Sequence, residues 1–485
     1  MTIQTVDANP YRRIYWEAID WNQAEKTVRR LQARIVKALK ENAFQKVKSL
    51  RRLLTKSLSA RLLAVKRVTT SRGRKTAGVD NITWTTPKQK VKAVHDLKKD
   101  IRILPLRRIY IPKKNGKKRP ISIPTMLNRA QQACHLLALE PIAEVGADTR
   151  SYGFRHERSA HDAIGYLFYV LGRKGSAQWI LEGDIKSCFD EISHQWIQEH
   201  IPMDKSLLQR WLKAGIMEGN KLFPSKAGVP QGGVASPTIA NMTLDGLEKT
   251  LKEKFGDKSH HRKNRKMVHL CRYADDFVVT GGSRELLQDQ VLPVIRHFLE
   301  ERGLQLSEEK TRITPIQEGF DFLGQNVRKY KGKLLITPSK KSTTNLKRKL
   351  SATIKSHRHR AADLIRITNS ILRGWCNYHR FIVSHATFGK IDHYVFQLLW
   401  EWAQRQHPNK SRRWIKKKYF HPSGGQKWVF TVNTKEGKEE RQYKASSTPI
   451  RRHILIRGSA NPYDEEWWPY FEERAQRKSF PCAAQ

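Results

Sequence analysis

Acidic residues, cysteines and long apolar runs are all scarce in this sequence of 485 residues. It contains 45 Asp plus Glu against 92 Lys plus Arg, which leaves a formal net charge of +47. Its five cysteines lie far apart without a CxxC pair, which argues against a disulfide framework and against a structural zinc site. No apolar run approaches the ~18 residues of a membrane helix, and the first residues lack the apolar core of a signal peptide. We therefore expect a protein of the reducing cytoplasm, with neither a membrane nor zinc among its partners.

The basic excess belongs to a folded protein rather than to a disordered tail. Hydrophobic residues make up 39% of the chain and include 13 Trp, 17 Phe and 14 Tyr, which is enough to build real cores. This length suits about two to four domains. A surface this basic attracts polyanions, so nucleic acid is the first partner to consider.

Two basic amphipathic helices are predicted near the start of the chain. Asp20 and Gln23 resemble a helix cap, and apolar residues recur at helical spacing from Val28 to Leu39. Residues 44–68 repeat this arrangement. The basic residues on the other face of the first helix are Arg29, Arg30, Arg34 and Lys37. The pattern fits solvated surface helices and a layer that grips RNA phosphates equally well.

Two hairpins and one strand end are predicted in the next part of the chain. Residues 108–111 and 120–123 are rich in β-formers and flank Lys-Asn-Gly-Lys, which predicts a hairpin with a cationic tip. In WILEGDIKSCFDEISHQWI an apolar strand ends at Asp184 and passes into a helix. The stretch VHLCRYADDFVVTGG predicts a second hairpin, with Asp275 and Asp276 at its tip.

These three carboxylates suggest a metal site for phosphoryl transfer. An Asp pair in a turn is by itself more often structural. Strand-end carboxylates from separate segments can, however, meet at one sheet edge and bind two Mg²⁺ ions about 3.5–4 Å apart, which activate an attacking hydroxyl and neutralise a leaving pyrophosphate. In a strongly positive protein such ions need a local concentration of acid. Successive side chains on a strand point to opposite faces, so we assign Asp275 as the bridging ligand and Asp276 as its support.

Nine short motifs follow one another in a characteristic order. They are GRKTAGVDNITW (73–84), IPKKNGKKRPISIPT (111–125), SYGFR (151–155), DIKSCFD (184–190), GVPQGGVASP (228–237), YADD (273–276), LSEEKT (306–311), FDFLG (320–324) and RGWCNYHRF (373–381). Any one of them can arise by chance, but the order and spacing of the set are specific. Over almost its whole length the chain resembles the group II intron-encoded reverse transcriptases and maturases.

The resemblance implies an α+β right-hand polymerase. Its expected parts are a basic helical N-terminal extension (1–72), reverse transcriptase fingers and palm with a small antiparallel sheet (73–335), an α-helical thumb or maturase domain (336–410) and a small basic DNA-binding domain (411–485). The implied activity is RNA-directed DNA synthesis from dNTPs on a DNA primer, with two Mg²⁺ ions. The implied partners are the group II intron RNA, whose splicing and target-primed retrohoming the protein promotes, and the target DNA. We expect a bacterial cytoplasmic protein that meets the nucleoid at its target, without an HNH-type nuclease.

The resemblance also implies roles for individual residues. Asp184 and Asp275 resemble the metal-binding pair, with the backbone carbonyl of Ile185 as a further ligand and Asp276 beside them. Phe189 stands where an aromatic ring excludes the 2′-OH of a ribonucleotide. The other implied substrate contacts are Arg107, Lys113 and Arg119 as a triphosphate clamp, Gln231 in the nucleotide pocket, Lys310 near the triphosphate or primer end, and Phe322, Leu323 and Gly324 as a primer grip.

The thumb motif needs a different interpretation. Leu364, Ile367, Ile371, Trp375 and Tyr378 fall on one helical face, which predicts Trp375 and Tyr378 as core rather than stacking platforms. The candidates for RNA contact are instead Asn377, His379 and Arg380. Residues 412–458 interleave basic and aromatic side chains and resemble the DNA-binding region of the family.

Two other functions stay open at this point. One is an RNA-binding splicing factor that has kept a polymerase fold without using it, for which Asp184 and Asp275 would be dispensable. The other is a reverse transcriptase now used in host defence or repair, as in CRISPR-associated or retron-like systems. The intact set of catalytic positions favours an active polymerase.

Overall fold

The computed structural model describes residues 14–112, 116, 118–256, 266–356, 360–423, 426–433, 437 and 439–479. These residues form many helices and several small sheets, in keeping with the predicted α+β class. None of the described helices combines the length and the apolar character needed to cross a bilayer.

Helices make up most of both ends of the described chain. They are α1 (Trp21–Lys40), α2 (Phe44–Lys56), α3 (Leu58–Thr70), α4 (Pro87–Asp96), α5 (Met126–Gly146), α6 (Ala160–Leu171), α7 (Cys188–Glu191), α8 (His194–His200), α9 (Lys205–Leu212), α10 (Ser236–Leu244), α11 (Leu247–Phe255), α12 (Leu292–Glu300), α13 (Lys340–Ser356), α14 (Ala361–His379), α15 (His385–Gln406), α16 (Arg412–Tyr419) and α17 (Trp468–Ser479).

The strands lie mainly between these two helical regions. They are β1 (Leu106–Pro112), β2 (Lys118–Ile123), β3 (Trp179–Asp184), β4 (Ile216–Glu218), β5 (Lys221–Phe223), β6 (His269–Tyr273), β7 (Asp276–Gly281), β8 (Arg312–Pro315), β9 (Phe320–Phe322), β10 (Gln325–Tyr330), β11 (Lys333–Pro338), β12 (Phe420–Ser423), β13 (Gln426–Asn433) and β14 (Glu439–Arg441). They form sheets ordered β2-β1-β4-β5, β6-β7-β3-β8, β11-β10-β9 and β12-β13-β14.

The N-terminal helices follow the sequence pattern with one difference. Helix α1 begins after Asp20, whose side chain accepts a hydrogen bond from the Gln23 amide at 2.9 Å, as a helix cap does. The single helix predicted over residues 44–68 is wrong, because the chain breaks at Ser57. The Ser57 hydroxyl caps α3 by accepting from the Ala60 amide at 3.1 Å. The three helices share one apolar core with α5.

The sheet β6-β7-β3-β8 has an apolar core on each of its two faces. Successive residues of β3 enter different cores: Ile180 packs in one apolar cluster and Leu181 in the other. The neighbouring pair Val278 and Val279 on β7 divides in the same way. Strand side chains alternate between faces, so both faces of this sheet carry apolar residues that pack in a core.

The predicted cationic hairpin is present as β1 and β2, which pair antiparallel from Arg107 opposite Ile123 to Pro112 opposite Lys118. Strand β1 also pairs with β4 in parallel, and β4 pairs with β5. Lys113, the third cation of the predicted triphosphate clamp, lies outside the described residues.

The region predicted as one C-terminal domain, residues 411–485, is divided between two cores. Ile415 of α16 and Phe430 of β13 pack with α13, α14 and α15, the helices of the predicted thumb. Farther along, Ile456 and Ala460 pack beside α6 against the sheet β6-β7-β3-β8, which is called the palm sheet below. The later part, residues 449–479, is called the C-terminal strap below. It contacts the end of α14 at Pro449 and packs beside α6 at Ile456 and Ala460.

Candidate active site

Three carboxylates lie at one end of the palm sheet. Asp184 is the last residue of β3 and stands opposite Asp276, the first residue of β7. Asp275 belongs to the two-residue turn, Ala274 and Asp275, that joins β6 to β7. Ala274 has a φ of +58°, a left-handed conformation that tight hairpin turns require and that usually favours glycine. The strand register and this turn bring the three acidic groups together.

The negative charge of the three carboxylates is only partly offset by the basic side chains around them. Lys310 Nζ donates to Asp184 Oδ2 at 2.6 Å, and this bond raises the pKa of Lys310. Burial, followed by the negative charges of Asp275 and Asp184, raises the pKa of Asp276 to about 6. Burial also raises the pKa of Asp275, while the nearby charge of Arg119 opposes that rise. A cation bound here would relieve this repulsion.

The donor set fits Mg²⁺ in a site that substrate completes. Within the described ranges, no group of three or more His, Cys, Asp and Glu side chains forms a ready-made metal cage. Mg²⁺ usually takes only one or two protein carboxylates, adding water and substrate phosphates. Asp184 and Asp275 supply that number.

Ile185 forms an antiparallel bridge with Leu306, and the hydrogen bonds of this bridge come from its two neighbours. The Asp184 carbonyl accepts from the Ser307 amide at 2.8 Å, and the Lys186 amide donates to the Gln305 carbonyl. The Ile185 carbonyl takes no part in the bridge and is left for another ligand.

The segment SYGFR (151–155) supports the acidic turn of Ala274 and Asp275 through backbone contacts. The Tyr152 amide donates to the Arg272 carbonyl at 2.9 Å, and the Arg272 amide donates to the Arg150 carbonyl at 2.9 Å. Gly153 lies so close to the turn that a Cβ atom there would stand 2.5 Å from the Ala274 nitrogen. Only glycine permits this backbone approach. The motif is therefore part of the support of the acidic turn.

A buried arginine under the turn was missed by the sequence reasoning. Arg272 is fully buried, forms an ion pair with Asp245 and donates to Asn241 Oδ1 at 3.2 Å and to the Ala274 carbonyl at 3.4 Å. Burial raises the pKa of Asp245 to about 6 although the charge of Arg272 opposes the rise. The available signal was an arginine inside the apolar run VHLCRY, where a buried partner is required.

The two described cations of the predicted triphosphate clamp share one face of the hairpin. Arg107 pairs with Ile123, and Arg119 pairs with Ile111. Paired residues point to the same side and so do residues two apart on a strand, so Arg107 and Arg119 face the same way. Both are exposed, and Arg119 is near enough to Asp275 to affect its pKa. This face is therefore turned towards the carboxylates.

Phe189 and Gln231 are positioned by backbone contacts. The Phe189 carbonyl accepts from the Val229 amide at 2.6 Å, and the Gln231 carbonyl accepts from the Ser122 amide of β2 at 2.7 Å. Gly232 has a φ of +120°, and a Cβ atom there would lie 2.8 Å from the Ser122 carbonyl oxygen. These contacts bring the PQGG loop against both the fingers hairpin and the segment that follows Asp184.

The predicted primer grip is only partly available at the surface. Phe322 is 5% exposed and packs in the palm core, so its ring cannot contact a primer. Leu323 and Gly324 form the turn between β9 and β10, with φ values of +50° and +76°. Tyr378 of α14 donates its hydroxyl to the Leu323 carbonyl at 2.8 Å, which ties the thumb to this turn.

One of the RNA contacts predicted in the motif RGWCNYHRF, His379, does not lie at the surface. His379 is fully buried, its Nε2 lies 3.1 Å from Ser342 Oγ, and burial lowers its pKa to about 4. The side chain is thus a neutral core group without a surface for RNA. Asn377 is exposed, whereas Arg380 donates to the Pro449 carbonyl of the C-terminal strap at 3.2 and 3.1 Å.

The predicted apolar face of α14 is also partly wrong. Leu364 is fully buried, and Trp375 and Tyr378 are half-buried as predicted for core residues, but Ile367 is 44% exposed. The helix is packed by neighbours on more than one side, including β13, β14 and α13, so its buried surface is not a single stripe.

The four cations of α1 are exposed, as a phosphate-binding surface requires. They are Arg29, Arg30, Arg34 and Lys37. Arg29 already has a partner within the chain, because its guanidinium carbon lies 3.8 Å from the ring centroid of Trp468 in α17. Lys40, one helical turn beyond Lys37, pairs with Asp464 at 2.6 Å. One side of α1 is therefore occupied by the C-terminal strap.

Three protein families match successive parts of the chain. The N-terminal domain of reverse transcriptase matches residues 16–97. The reverse transcriptase (RNA-dependent DNA polymerase) family matches residues 111–327. The group II intron maturase-specific domain matches residues 343–420. The three carboxylates described above lie within the second match, and helix α14 lies within the third.

Individual relatives agree with this assignment. The chain is 33% identical over 296 residues to protein YkfC of Escherichia coli K12, covering 53% of this chain and 77% of that protein. It is 28% identical over 481 residues to the group II intron-encoded protein LtrA of Lactococcus lactis subsp. cremoris, covering 79% and 78% of the two chains. A telomerase structure from Candida albicans aligns with a TM-score of 0.34 at 13% identity, over 65% of this chain and 64% of that chain, which is too distant to support an argument.

Proposed function

We propose, since the chain belongs to the group II intron-encoded reverse transcriptases and maturases, that it synthesises DNA at the sheet edge formed by Asp184, Asp275 and Asp276. It is an RNA-directed DNA polymerase that also acts in intron splicing. The main support for this location is the register of β3 against β7, which sets Asp184 opposite Asp276 and next to the turn that carries Asp275. Carboxylates so placed suit phosphoryl transfer.

The chemistry at this edge combines metal ligands with cationic substrate contacts. Two Mg²⁺ ions held by Asp184, Asp275 and the Ile185 carbonyl would activate the primer 3′-OH and neutralise the leaving pyrophosphate. Arg107 and Arg119 bind the triphosphate from the fingers hairpin, because both lie on the face turned towards the carboxylates.

Other side chains around this edge complete the nucleotide site. Gln231 lines the nucleotide pocket, and the ring of Phe189 excludes a 2′-OH, which selects dNTPs. Lys310 is placed to contact the triphosphate or primer end once it releases Asp184. The turn of Leu323 and Gly324 supports the primer strand through its backbone.

The second activity rests on RNA binding rather than on a protein catalyst. The intron RNA supplies the splicing site, and the protein stabilises the folded RNA by neutralising phosphates and recognising its shape. The exposed cations Arg30, Arg34 and Lys37 of α1 and the exposed Asn377 of α14 are the described candidates for these contacts. Retrohoming then requires target DNA as a primer, bound by the basic region that begins at α16.

Primer extension with matched variants tests the proposed polymerase site. Purified wild type, Asp275→Asn and Asp321→Asn are treated with nuclease to remove bound RNA and given an RNA template, a DNA primer, dNTPs and Mg²⁺. Asp321 is an exposed carboxylate of β9, so its change to Asn is a matched control for the loss of one negative charge. We expect extension by wild type and Asp321→Asn and none by Asp275→Asn.

Intron RNA binding and assisted splicing are measured on the same three proteins. We expect Asp275→Asn to bind RNA and assist splicing nearly as wild type does. Loss of tight RNA binding in this variant would contradict the separation of the two activities. If no protein extends the primer while all three bind intron RNA in a salt-sensitive manner, splicing is the whole function.

A further inference from the structure

Phe154 combines two features that are unusual for a phenylalanine. Its side chain is 58% exposed, and its backbone has a φ of +57°. A bulky residue in the left-handed region is an outlier, and such strain persists where the surrounding structure enforces it, often at functional sites. Phe154 belongs to the motif SYGFR, and the family resemblance described above implies no role for its ring.

The neighbours of Phe154 enforce this conformation. On one side, the Gly153 carbonyl accepts from Asn241 Nδ2 at 2.7 Å, and the Gly153 backbone is pressed against Ala274. On the other side, buried Arg155 donates from Nε and Nη2 to Glu144 at 2.9 and 2.6 Å. Both flanking residues are thus fixed, and the ring between them is held out of the core.

The ring of Phe154 is held against the ring of Phe189. Their centroids are 6.5 Å apart, and their planes meet at 84°, which is the edge-to-face arrangement that aromatic pairs prefer. Phe189 is half-buried, and its backbone is fixed by Val229. The ring of Phe189 also packs against the apolar cluster that contains Leu181, so the contact with Phe154 is a second restraint on this ring.

We propose that Phe154 is a positioning residue for nucleotide selection, holding Phe189 in the orientation that excludes a 2′-OH. This inference rests on the proposed role of Phe189. The acidic turn and the aromatic pair share one support, because Gly153 braces Ala274 while the next residue carries the ring that touches Phe189. Selection of the sugar and placement of the carboxylates are thereby built on the same rigid segment.

A merely structural role predicts a different outcome. More than half of the Phe154 side chain is exposed, and the ring belongs to none of the apolar clusters formed by the described residues. Its removal should therefore change the unfolding midpoint little. A change in discrimination between dNTP and rNTP, with the unfolding midpoint and the dNTP reaction nearly unchanged, is expected only if the ring acts on Phe189.

The experiment measures kcat/KM for a dNTP and for the matching rNTP in single-nucleotide extension. We expect Phe189→Ala to lower the dNTP preference strongly. We expect Phe154→Ala to lower it about 2- to 12-fold, the equivalent of the ~0.5–1.5 kcal/mol of an aromatic pair. Phe154→Tyr keeps the ring edge and should retain the preference. Phe168→Ala, which removes a similarly exposed ring from α6, should change nothing.

Two further variants separate the ring from the backbone strain. Phe154→Gly removes the ring and relieves the left-handed strain, so it should match Phe154→Ala if the ring is responsible. The double variant Phe154→Ala/Phe189→Ala should be no less selective than Phe189→Ala, because the two rings act as one unit.

Each result bears on the proposal. If Phe189→Ala leaves the preference intact, the proposed role of Phe189 fails and the inference fails with it. If Phe189→Ala lowers the preference but Phe154→Ala slows dNTP and rNTP equally, only the inference is overturned. A loss of selectivity in Phe154→Ala but not in Phe154→Gly would assign the effect to strain and would also overturn it.

Discussion

The acidic edge of the palm and helix α14 of the thumb both carry motifs that stand out in the sequence, but their polar residues have different fates. At the palm edge, Asp184, Asp275 and Asp276 meet as the strand pattern predicts. On α14, His379 is buried and Arg380 is bonded to the C-terminal strap, while Asn377 is exposed. Polar residues at strand ends are placed by register, whereas those on a packed helix depend on which neighbours arrive.

The largest expected effect tests the palm side of this comparison. Asp184→Asn should reduce DNA synthesis by about 10³-fold or more, because one of the two carboxylates proposed to bind metal is lost. Single-nucleotide extension at saturating dNTP and Mg²⁺ measures it. The matched variant Asp363→Asn neutralises a half-exposed carboxylate of α14, which pairs with Arg366, and should retain activity. Equal losses in the two variants would show that net charge, rather than the palm edge, controls synthesis.

The next effect concerns the support under the acidic turn. Arg272→Met leaves Asp245 buried without its partner and should lower the free energy of unfolding by about 3–5 kcal/mol. Urea unfolding measures the loss. Arg272→Met/Asp245→Leu removes both charges and should recover part of it. A loss below ~1 kcal/mol in the single variant would mean that the ion pair does not hold the turn.

The thumb side is tested through pH. Burial lowers the pKa of His379 to about 4, below the ~6.5 of an unfolded chain, so the unfolded state binds more protons between these values. His379 alone should therefore lower the free energy of unfolding by at most ~3 kcal/mol as the pH drops from about 6.5 to 4, whereas Asp245 and Asp276, whose pKa values are raised to about 6, contribute in the opposite direction. His379→Gln should remove this contribution in urea unfolding at several pH values. Some slope should remain, because burial also lowers the pKa of His135 to about 4.

The same variant distinguishes a core histidine from an RNA contact. His379→Gln should bind intron RNA within about twofold of wild type at equal salt, whereas loss of an exposed phosphate contact weakens binding and reduces its salt dependence. If His379→Gln bound RNA more weakly while the pH dependence of its unfolding free energy stayed as in wild type, His379 would be an RNA contact rather than a core group.

The smallest expected effect joins the two regions. Tyr378→Phe removes the hydrogen bond from α14 to the Leu323 carbonyl and should cost about 1 kcal/mol of stability. We also expect shorter products per binding event in primer extension, because the turn proposed to support the primer loses its hydrogen bond to α14. Tyr330→Phe, at an exposed tyrosine of β10, is the control and should keep the wild-type product length.

Residues whose positions follow from chain periodicity could be predicted from the sequence. The hairpin of β1 and β2, the end of β3 at Asp184 and the acidic tip of the β6–β7 hairpin all come from alternation and turn chemistry. The break at Ser57 was missed because apolar spacing continues through it, and only the capping hydroxyl interrupts the helix.

The remaining differences come from contacts between distant segments. Phe322 looked like a candidate primer contact, but it is buried by parts of the chain far away in sequence. Phe154 is forced outward by the fixed residues on both sides, and Arg272 is tied to Asp245 beneath the turn. The local sequence pattern does not identify the distant residues that make these contacts.

The C-terminal strap has a consequence for the timing of synthesis. Asp162 of α6 accepts a hydrogen bond from Arg474 at 2.7 Å, and the two residues are 312 positions apart. At about 5–20 residues per second, the ribosome needs roughly 15–60 s to make the intervening chain. Until then the palm lacks one side of its core. The nascent polymerase therefore reaches its finished form only after the basic surface proposed to bind RNA has been synthesised.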